Sequence, residues 1–332
     1  MSHLASYQVK IDESKVKCTL CPHECNLALG KTGICRVRRN DAGILVTDVY
    51  GFVSAIHMDP IEKKPLYHFN PGKAILSIGS YGCNLRCTFC QNCTISQTGV
   101  EPGLKKDFFT PEELVQIALQ QKDNIGLAFT YNEPTVWFEY MLDIAKLAKA
   151  SGLKTVMVTN GYISEQPLNE LITFMDAFSV DLKAFTDNFY KKVTSSDLAA
   201  VKETLIRIRK AGKHLEIVNL LIPGLNDDDL QISEMAKWIA KELGKNTPLH
   251  LSRYYPQYKM TNQATPESVL RRVHRIALNE LTYVYIGNIA GEKNNTLCSV
   301  CLNLLITRNN YQVQLPGLDI DGRCNRCGAI FS

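Results

Sequence analysis

Residues 74–90 read Ala-Ile-Leu-Ser-Ile-Gly-Ser-Tyr-Gly-Cys-Asn-Leu-Arg-Cys-Thr-Phe-Cys. The first five residues form an apolar strand pattern. The loop after it carries Cys83, Cys87 and Cys90 at the spacing C-x3-C-x2-C. A structural zinc site takes four closing ligands, usually as two separated pairs. Three thiolates on one short loop suit an iron–sulfur cluster better. A four-iron cluster held by three cysteines keeps one iron without a protein ligand, and that iron can bind a small molecule through nitrogen and oxygen. The spacing therefore points to chemistry rather than to a structural staple.

Downstream the same strand–helix alternation recurs. Thr110-Pro111-Glu112-Glu113 opens a helix, with Thr110 as N-cap, Pro111 at the first helical position and Glu113 completing a capping box. Strands are expected at 125–130, 154–159, 177–182, 214–221, 248–252 and 283–286. Helices are expected at about 136–150, 165–175, 197–211 and 228–243, with a last one after Thr265-Pro266-Glu267. Apolar strand cores alternating with helices demand a parallel sheet covered by helices, either doubly wound or closed into a full or partial barrel. In such barrels, sites lie at the C-terminal ends of strands. Polar residues gather at those positions: Asn132 and Glu133 after 125–130, Thr159 and Asn160 after 154–159, Asp181 and Lys183 after 177–182. Asn219 and His250 fall in the next two strands, His250 equally readable as a buried, satisfied histidine.

The chain has 332 residues, 45% hydrophobic and 21% charged, an ordinary globular composition. Its net charge of +4 gives no electrostatic reason to expect nucleic acid. Residues 1–17 lack the apolar run of a signal peptide, and no stretch is long and apolar enough to span a membrane, so a cytoplasmic setting is expected. The 12 cysteines fall in three groups, at 18, 21, 25 and 35; at 83, 87, 90 and 93; and at 298, 301, 324 and 327. Clustered thiols in such a chain read as metal ligation rather than as disulfides. Three segments follow: a cysteine-rich N-terminal segment, 1–72; an α/β segment, 73–290; and a loop-rich C-terminal segment, 291–332.

The cysteine loop, with Phe89 before its last cysteine and a strand before its first, resembles the radical S-adenosylmethionine (SAM) superfamily. Further runs extend the resemblance over nearly the whole chain: Cys21-Pro22-His23-Glu24-Cys25, Asp59-Pro60-Ile61-Glu62-Lys63-Lys64-Pro65-Leu66, Tyr131-Asn132-Glu133-Pro134-Thr135 and Val180-Asp181-Leu182-Lys183-Ala184. These look like the radical component of the AmmeMemoRadiSam system, related to pyruvate formate-lyase activating enzymes. The resemblance implies a (β/α) barrel, partial or full, with small metal-binding segments at either end. It implies a 4Fe–4S cluster on Cys83, Cys87 and Cys90, with SAM on the open iron. One electron would cleave SAM to methionine and a 5′-deoxyadenosyl radical, which abstracts hydrogen from a substrate. Phe89 would pack near the adenine, and Glu133, beside Asn132, would accept from the SAM ammonium. Thr159, Asn160, Asp181 and Lys183 would contact the ribose or the methionine carboxylate, with Asn219 and His250 as outer candidates. A low-potential donor, flavodoxin or ferredoxin, and a Memo-like partner complete the implication. The sequence departs from the superfamily where Asn132 stands in place of the usual glycine pair, and in Cys93, an extra thiol read as a packed or oxidisable cysteine rather than a fourth ligand.

Cys298, Cys301, Cys324 and Cys327 form two C-x2-C pairs that favour structural zinc over an auxiliary cluster. Cys18, Cys21, Cys25 and Cys35 are spaced irregularly, and zinc or a second cluster fits them equally. Two other classes compete. A non-catalytic iron–sulfur carrier would not need the polar residues at the strand ends. A barrel metallohydrolase would need a His-x-His or paired-carboxylate signature, which is absent from the sequence.

Overall fold

The computed structural model describes residues 2–99 and 107–331. Eight strands make the main sheet: β1 (Ala55–Pro60), β2 (Ala74–Gly79), β3 (Asn124–Phe129), β4 (Lys154–Thr159), β5 (Ala177–Asp181), β6 (His214–Leu221), β7 (Leu249–Arg253) and β8 (Val284–Gly287). They lie side by side in chain order, β8 to β1. β2 to β8 run parallel, and β1 joins β2 antiparallel. An unbroken order without reversal is barrel winding, not a doubly wound sheet. No ladder joins β1 to β8 among the described residues, so the barrel is partial. Among the described residues between β2 and β8 there are six main helices: α1 (Pro111–Gln120), α2 (Phe138–Ala150), α3 (Glu165–Phe174), α4 (Leu198–Lys210), α5 (Asp229–Ile239) and α6 (Glu267–Ala277). No helix among the described residues is long and apolar enough to cross a membrane.

Local chemistry starts these helices where the sequence says. Thr110 and Glu113 exchange both bonds of the capping box on α1. Asp197 and Asp228 accept from the first turns of α4 and α5. Strand alternation then sorts the side chains. Leu76, Ile78, Leu127, Phe129, Phe178 and Val180 join the large core beneath the helices. The intervening residues turn inward, and Ile75, Ala128, Val156 and Ala177 pack with Ile61 and Leu66 inside the barrel.

The N-terminal end of the barrel is closed by polar packing. Glu216, fully buried on β6, accepts from His214 Nε2 (2.9 Å), His250 Nε2 (2.7 Å) and the backbone N–H groups of Tyr67 (3.0 Å) and His68 (2.7 Å). The C-terminal ribbon, Leu304–Asn309 flanked by Thr296–Leu297 and Gln312–Gln314, seals this end from outside. Its buried Arg308 lies 4.5 Å over the Tyr67 ring, donates to the Tyr67 carbonyl and stands 3.9 Å from Glu62. In the same ribbon Cys298 and Cys327 approach to 3.7 Å, and Cys301 and Cys324 to 3.6 Å. All four sulfurs lie within 4.8 Å of one another. Edges of that length match a tetrahedron with metal–sulfur bonds of about 2.3 Å, the zinc geometry.

The N-terminal segment forms two small antiparallel sheets, Gln8–Lys10 with Lys15–Cys18 and Asn26–Ala28, and His3–Leu4 with Ile44–Thr47 and Arg38–Asp41. A buried ion pair ties it to α2: Arg38 Nη1 reaches both Glu139 oxygens at 2.9 Å.

Candidate active site

A cavity of ≈ 530 Å³ opens at the C-terminal ends of the strands. Its wall begins with the loop after β2. Cys83, Cys87, Phe89 and Cys90 all line it. The loop is held in place by neighbours from several elements. Asn132 accepts from Ser80 N (3.0 Å) and donates to Gly82 O (2.8 Å). Asn84 donates to Tyr162 O (2.6 Å), and its oxygen accepts from Asn160 Nδ2 (2.9 Å). Arg86 N and Thr88 N bond to the carbonyls of Thr194 and Val193. Gly82 carries a positive φ of +83°, and a Cβ there would stand 2.6 Å from Cys35 O. Only glycine fits this contact between the loop and the N-terminal segment.

Opposite the thiols, Glu133 caps a short 3₁₀ turn after β3. It is buried and carries four donors. Thr135 N (3.0 Å), Thr135 Oγ1 (2.7 Å) and Thr159 Oγ1 (2.7 Å) all reach Oε1; Asn160 N (2.8 Å) reaches Oε2. Burial pushes its pKa up, and these donors only partly offset that. No cation pairs with it among the described residues, and Oε2 keeps acceptor capacity. Burial, reinforced by Glu133 and Cys87, likewise drives the Cys83 thiol far up.

Asp181 and Lys183 form the third wall. Lys183 Nζ bonds Asp181 Oδ2 at 2.8 Å and lies 5.8 Å from the Phe89 ring centre. Burial alone would weaken this ammonium, but Asp181 and Cys87 reverse that and hold its pKa above the ordinary lysine range. The turn is pinned from behind. Leu182 O accepts from Asn219 Nδ2 (2.7 Å), Lys183 O from Asn226 Nδ2 (2.7 Å), and Lys183 N donates to Tyr190 OH (3.0 Å).

The structure thus brings Cys83, Cys87, Cys90, Phe89, Asn132, Glu133, Thr159, Asn160, Asp181 and Lys183 around one cavity. It does not bring Asn219 or His250 there. Strand parity is the reason for Asn219: Val218 and Leu220 face the cavity, so Asn219 points outward, its Nδ2 3.9 Å from Met235 Sδ on α5. His250 does turn inward, but at the sealed end, on Glu216. Cys93 starts the turn Cys93–Ser96 and does not line the cavity. Sequence reasoning missed Lys63, Lys64, Asn92, Ser252 and Asn288, which all line it. Lys63 and Lys64 arrive through β1 and bond both oxygens of Asp59 (2.8 and 2.7 Å), which also accepts from Tyr131 OH. The signal was present in the Asp59-x3-Lys63-Lys64 spacing, but nothing in it showed that β1 joins the barrel.

The loop thiols fit a cluster rather than a single ion. Among the described residues only the C-terminal quartet brings its sulfurs within 4.8 Å of one another. The three loop thiols stand farther apart, as ligands on separate irons of one cluster must.

Comparison with known proteins agrees with this geometry. A model of the Radical SAM superfamily matches residues 77–236. An uncharacterized protein of Methanocaldococcus jannaschii is 41% identical over 328 residues, covering 98% of this chain and 97% of that protein. The pyruvate formate-lyase-activating enzyme of Clostridium pasteurianum is 29% identical over 163 residues, 48% of this chain and 66% of that enzyme. In fold, the chain is similar to a radical SAM methyltransferase from Sphaerobacter thermophilus, at a TM-score of 0.51 and 14% identity over 66% of this chain and 67% of that one. The chain belongs to the radical SAM superfamily, related to the pyruvate formate-lyase activating enzymes, and is an enzyme that uses a 4Fe–4S cluster and SAM.

Proposed function

We propose that this enzyme uses SAM to abstract hydrogen from a small molecule, peptide or protein, with the chemistry confined to the cavity above β2–β7. The observation that carries the reading is Glu133: a buried carboxylate with no counter-charge among the described residues, lining the same cavity as three thiols. Cys83, Cys87 and Cys90 hold the cluster. When bound, cluster and SAM supply a one-electron cleavage whose radical product removes hydrogen from the substrate. Everything else is positioning by the chain itself. Glu133 Oε2 accepts from the SAM ammonium in a charge-assisted bond that burial strengthens. Lys183, bonded to Asp181, would pair with the carboxylate of SAM. Phe89 gives an apolar wall for the adenine. Thr159 and Asn160 both bond Glu133, and Asn160 also bonds Asn84 of the loop, so ammonium site and cluster site share one framework.

The activating-enzyme relatives support a second reading, in which the substrate is a glycine of a partner enzyme. A low-potential flavodoxin or ferredoxin donor is supported by the same relatives, and a Memo-like partner rests on the family resemblance alone. All 12 cysteines lack disulfide partners, which favours a reducing, cytoplasmic setting.

Anaerobic purification followed by reduction with SAM tests the core of this reading. Release of 5′-deoxyadenosine is expected, and Cys87→Ala abolishes it while leaving the chain folded. A colourless, zinc-only wild-type protein sinks the reading. Incubation with a glycyl-radical enzyme encoded nearby separates the two substrates: a glycyl radical signal supports the second, and deoxyadenosine without one supports the first.

A further inference from the structure

The N-terminal cysteines converge although the chain spaces them irregularly. Cys18, Cys21, Cys25 and Cys35 surround one enclosed cavity of ≈ 20 Å³, closed by Leu20, Leu27, Ile34 and Val136. Three of the four thiols are buried, and Cys25 is partly so. The space that they and their neighbours line admits a water-sized sphere. Such a sphere could not fit inside a zinc–thiolate tetrahedron, whose bonds are about 2.3 Å long. Nor do these sulfurs close to within 4.8 Å of one another, as those of the C-terminal quartet do. The two quartets in one chain are therefore built at two different scales.

A second observation points to an anionic occupant. Arg38 also lines this cavity and is 1% exposed. Its Nη1 is taken by Glu139 and its Nη2 by Ser6 O (2.6 Å), yet its buried Nε–H has no partner. A buried N–H on a charged group costs free energy unless something accepts from it. A four-iron cluster on four thiolates is a dianion whose sulfurs accept such bonds, and hydrogen bonds to sulfur are one means of tuning its potential.

The cavity is also continuous with the active-site framework. Thr135 lines it while donating twice to Glu133. Cys35 O packs against Gly82, the residue before Cys83. His23, between Cys21 and Cys25, bonds Asn84 O at 2.8 Å. We propose that Cys18, Cys21, Cys25 and Cys35 hold a second 4Fe–4S cluster, packed directly behind the catalytic cysteine loop, whereas Cys298, Cys301, Cys324 and Cys327 hold zinc. This goes beyond the SAM chemistry proposed above and stands on different residues.

The test is metal analysis and electron paramagnetic resonance on the full chain carrying Cys83→Ala, Cys87→Ala and Cys90→Ala together, prepared anaerobically. About four iron, four sulfide and one zinc per chain are expected, with a reduced-cluster signal that SAM does not shift. An iron-free variant, at one zinc or two, overturns the proposal. A second variant makes the answer independent of how the first one folds. Cys21→Ser with Cys35→Ser is expected to lower iron from about eight to about four per chain while SAM still shifts the remaining signal. Iron that stays at the wild-type level in that variant overturns the proposal and leaves the SAM reading intact. A wild-type chain that binds about eight irons yet does not cleave SAM supports the second cluster and overturns the function proposed above.

Discussion

Two buried glutamates, one at each end of the barrel, show how the fold separates a working site from a closed one. Glu133 sits at the C-terminal ends of the strands and Glu216 near the opposite end, and each accepts four hydrogen bonds. The donors differ in kind and in distribution. Around Glu216 they include two imidazoles, and both oxygens take two bonds each. Around Glu133 they are hydroxyls and backbone amides, and three of the four crowd onto Oε1. Burial would raise both pKa values. At Glu216 the histidines reverse this and hold the carboxyl well below its usual range, whereas Glu133 stays raised. Glu216 is saturated on both oxygens, which is what a plug requires. Glu133 keeps acceptor capacity on Oε2, and no cation among the described residues takes it.

The largest expected effect tests the plug. Glu216→Ala leaves His214, His250 and two backbone N–H groups without their acceptor, a loss of about 3–5 kcal/mol for a broken buried pair. Thermal unfolding should show it, while deoxyadenosine release per folded molecule stays at the wild-type level. Equal loss of both would erase the distinction between the two ends. The pH dependence follows from the direction of each shift. Because the folded pKa of Glu216 is lowered, its contribution is present above its unfolded value near 4.5 and is lost as pH falls through the folded one. The melting-temperature gap between wild type and Glu216→Gln should therefore shrink below about pH 4.5. Glu133 has the opposite sign. Its contribution is present below the same unfolded value and is lost as pH rises through the folded one, so SAM-free Glu133→Gln should gain on wild type as pH rises.

The next effect tests the working end. A hydrogen bond to a charged partner is worth about 1.5–3 kcal/mol, so Glu133→Gln should weaken SAM binding about 10- to 100-fold. Its melting temperature without SAM should not fall at neutral pH, since the variant removes a buried charge. Calorimetric titration with SAM and a melting curve on one sample check both halves. Unchanged SAM affinity would remove Glu133 from the site.

Sequence reading reached the working end far better than the closed one. The strands β4 and β6 begin and end where the apolar runs do, at 154–159 and 214–221. The capping box on α1 was legible because its two bonds are local, three residues apart. The ring of polar residues that lines the cavity was legible because barrel sites collect at strand ends, a rule that needs no tertiary contacts. β1 was not. Asp59 and Pro60 end it in a run that reads as a linker, and its pairing with β2 is a long-range choice that an edge strand's sequence states weakly. The plug was invisible for the same reason: Tyr67, Glu216, His250 and Arg308 are spread over the chain, and only the folded barrel brings them together. His250 shows the difficulty within one residue, since a polar group on a barrel strand carries no mark of its depth along that strand.

The smallest expected effect concerns a residue outside both ends. Asn219 points away from the cavity, but its amide holds Leu182 O at 2.7 Å, in the turn that aims Asp181 and Lys183 inward. Asn219→Ala leaves one buried carbonyl unpaired, at about 1–3 kcal/mol. If Asn219 only packs the helix layer, stability falls and SAM binding does not change. If it positions the turn, SAM affinity falls a few-fold as well, while Lys183→Met falls further and loses no more stability than Asn219→Ala. Asn226 holds the neighbouring carbonyl of Lys183 in the same way. The turn therefore has two side-chain anchors on its carbonyls, beside the Lys183 N–H bond to Tyr190, and removing one should tilt the ammonium rather than release it. Asn219→Ala combined with Asn226→Ala should then cost more SAM affinity than the two single changes added together, which a merely structural role at either position would not produce.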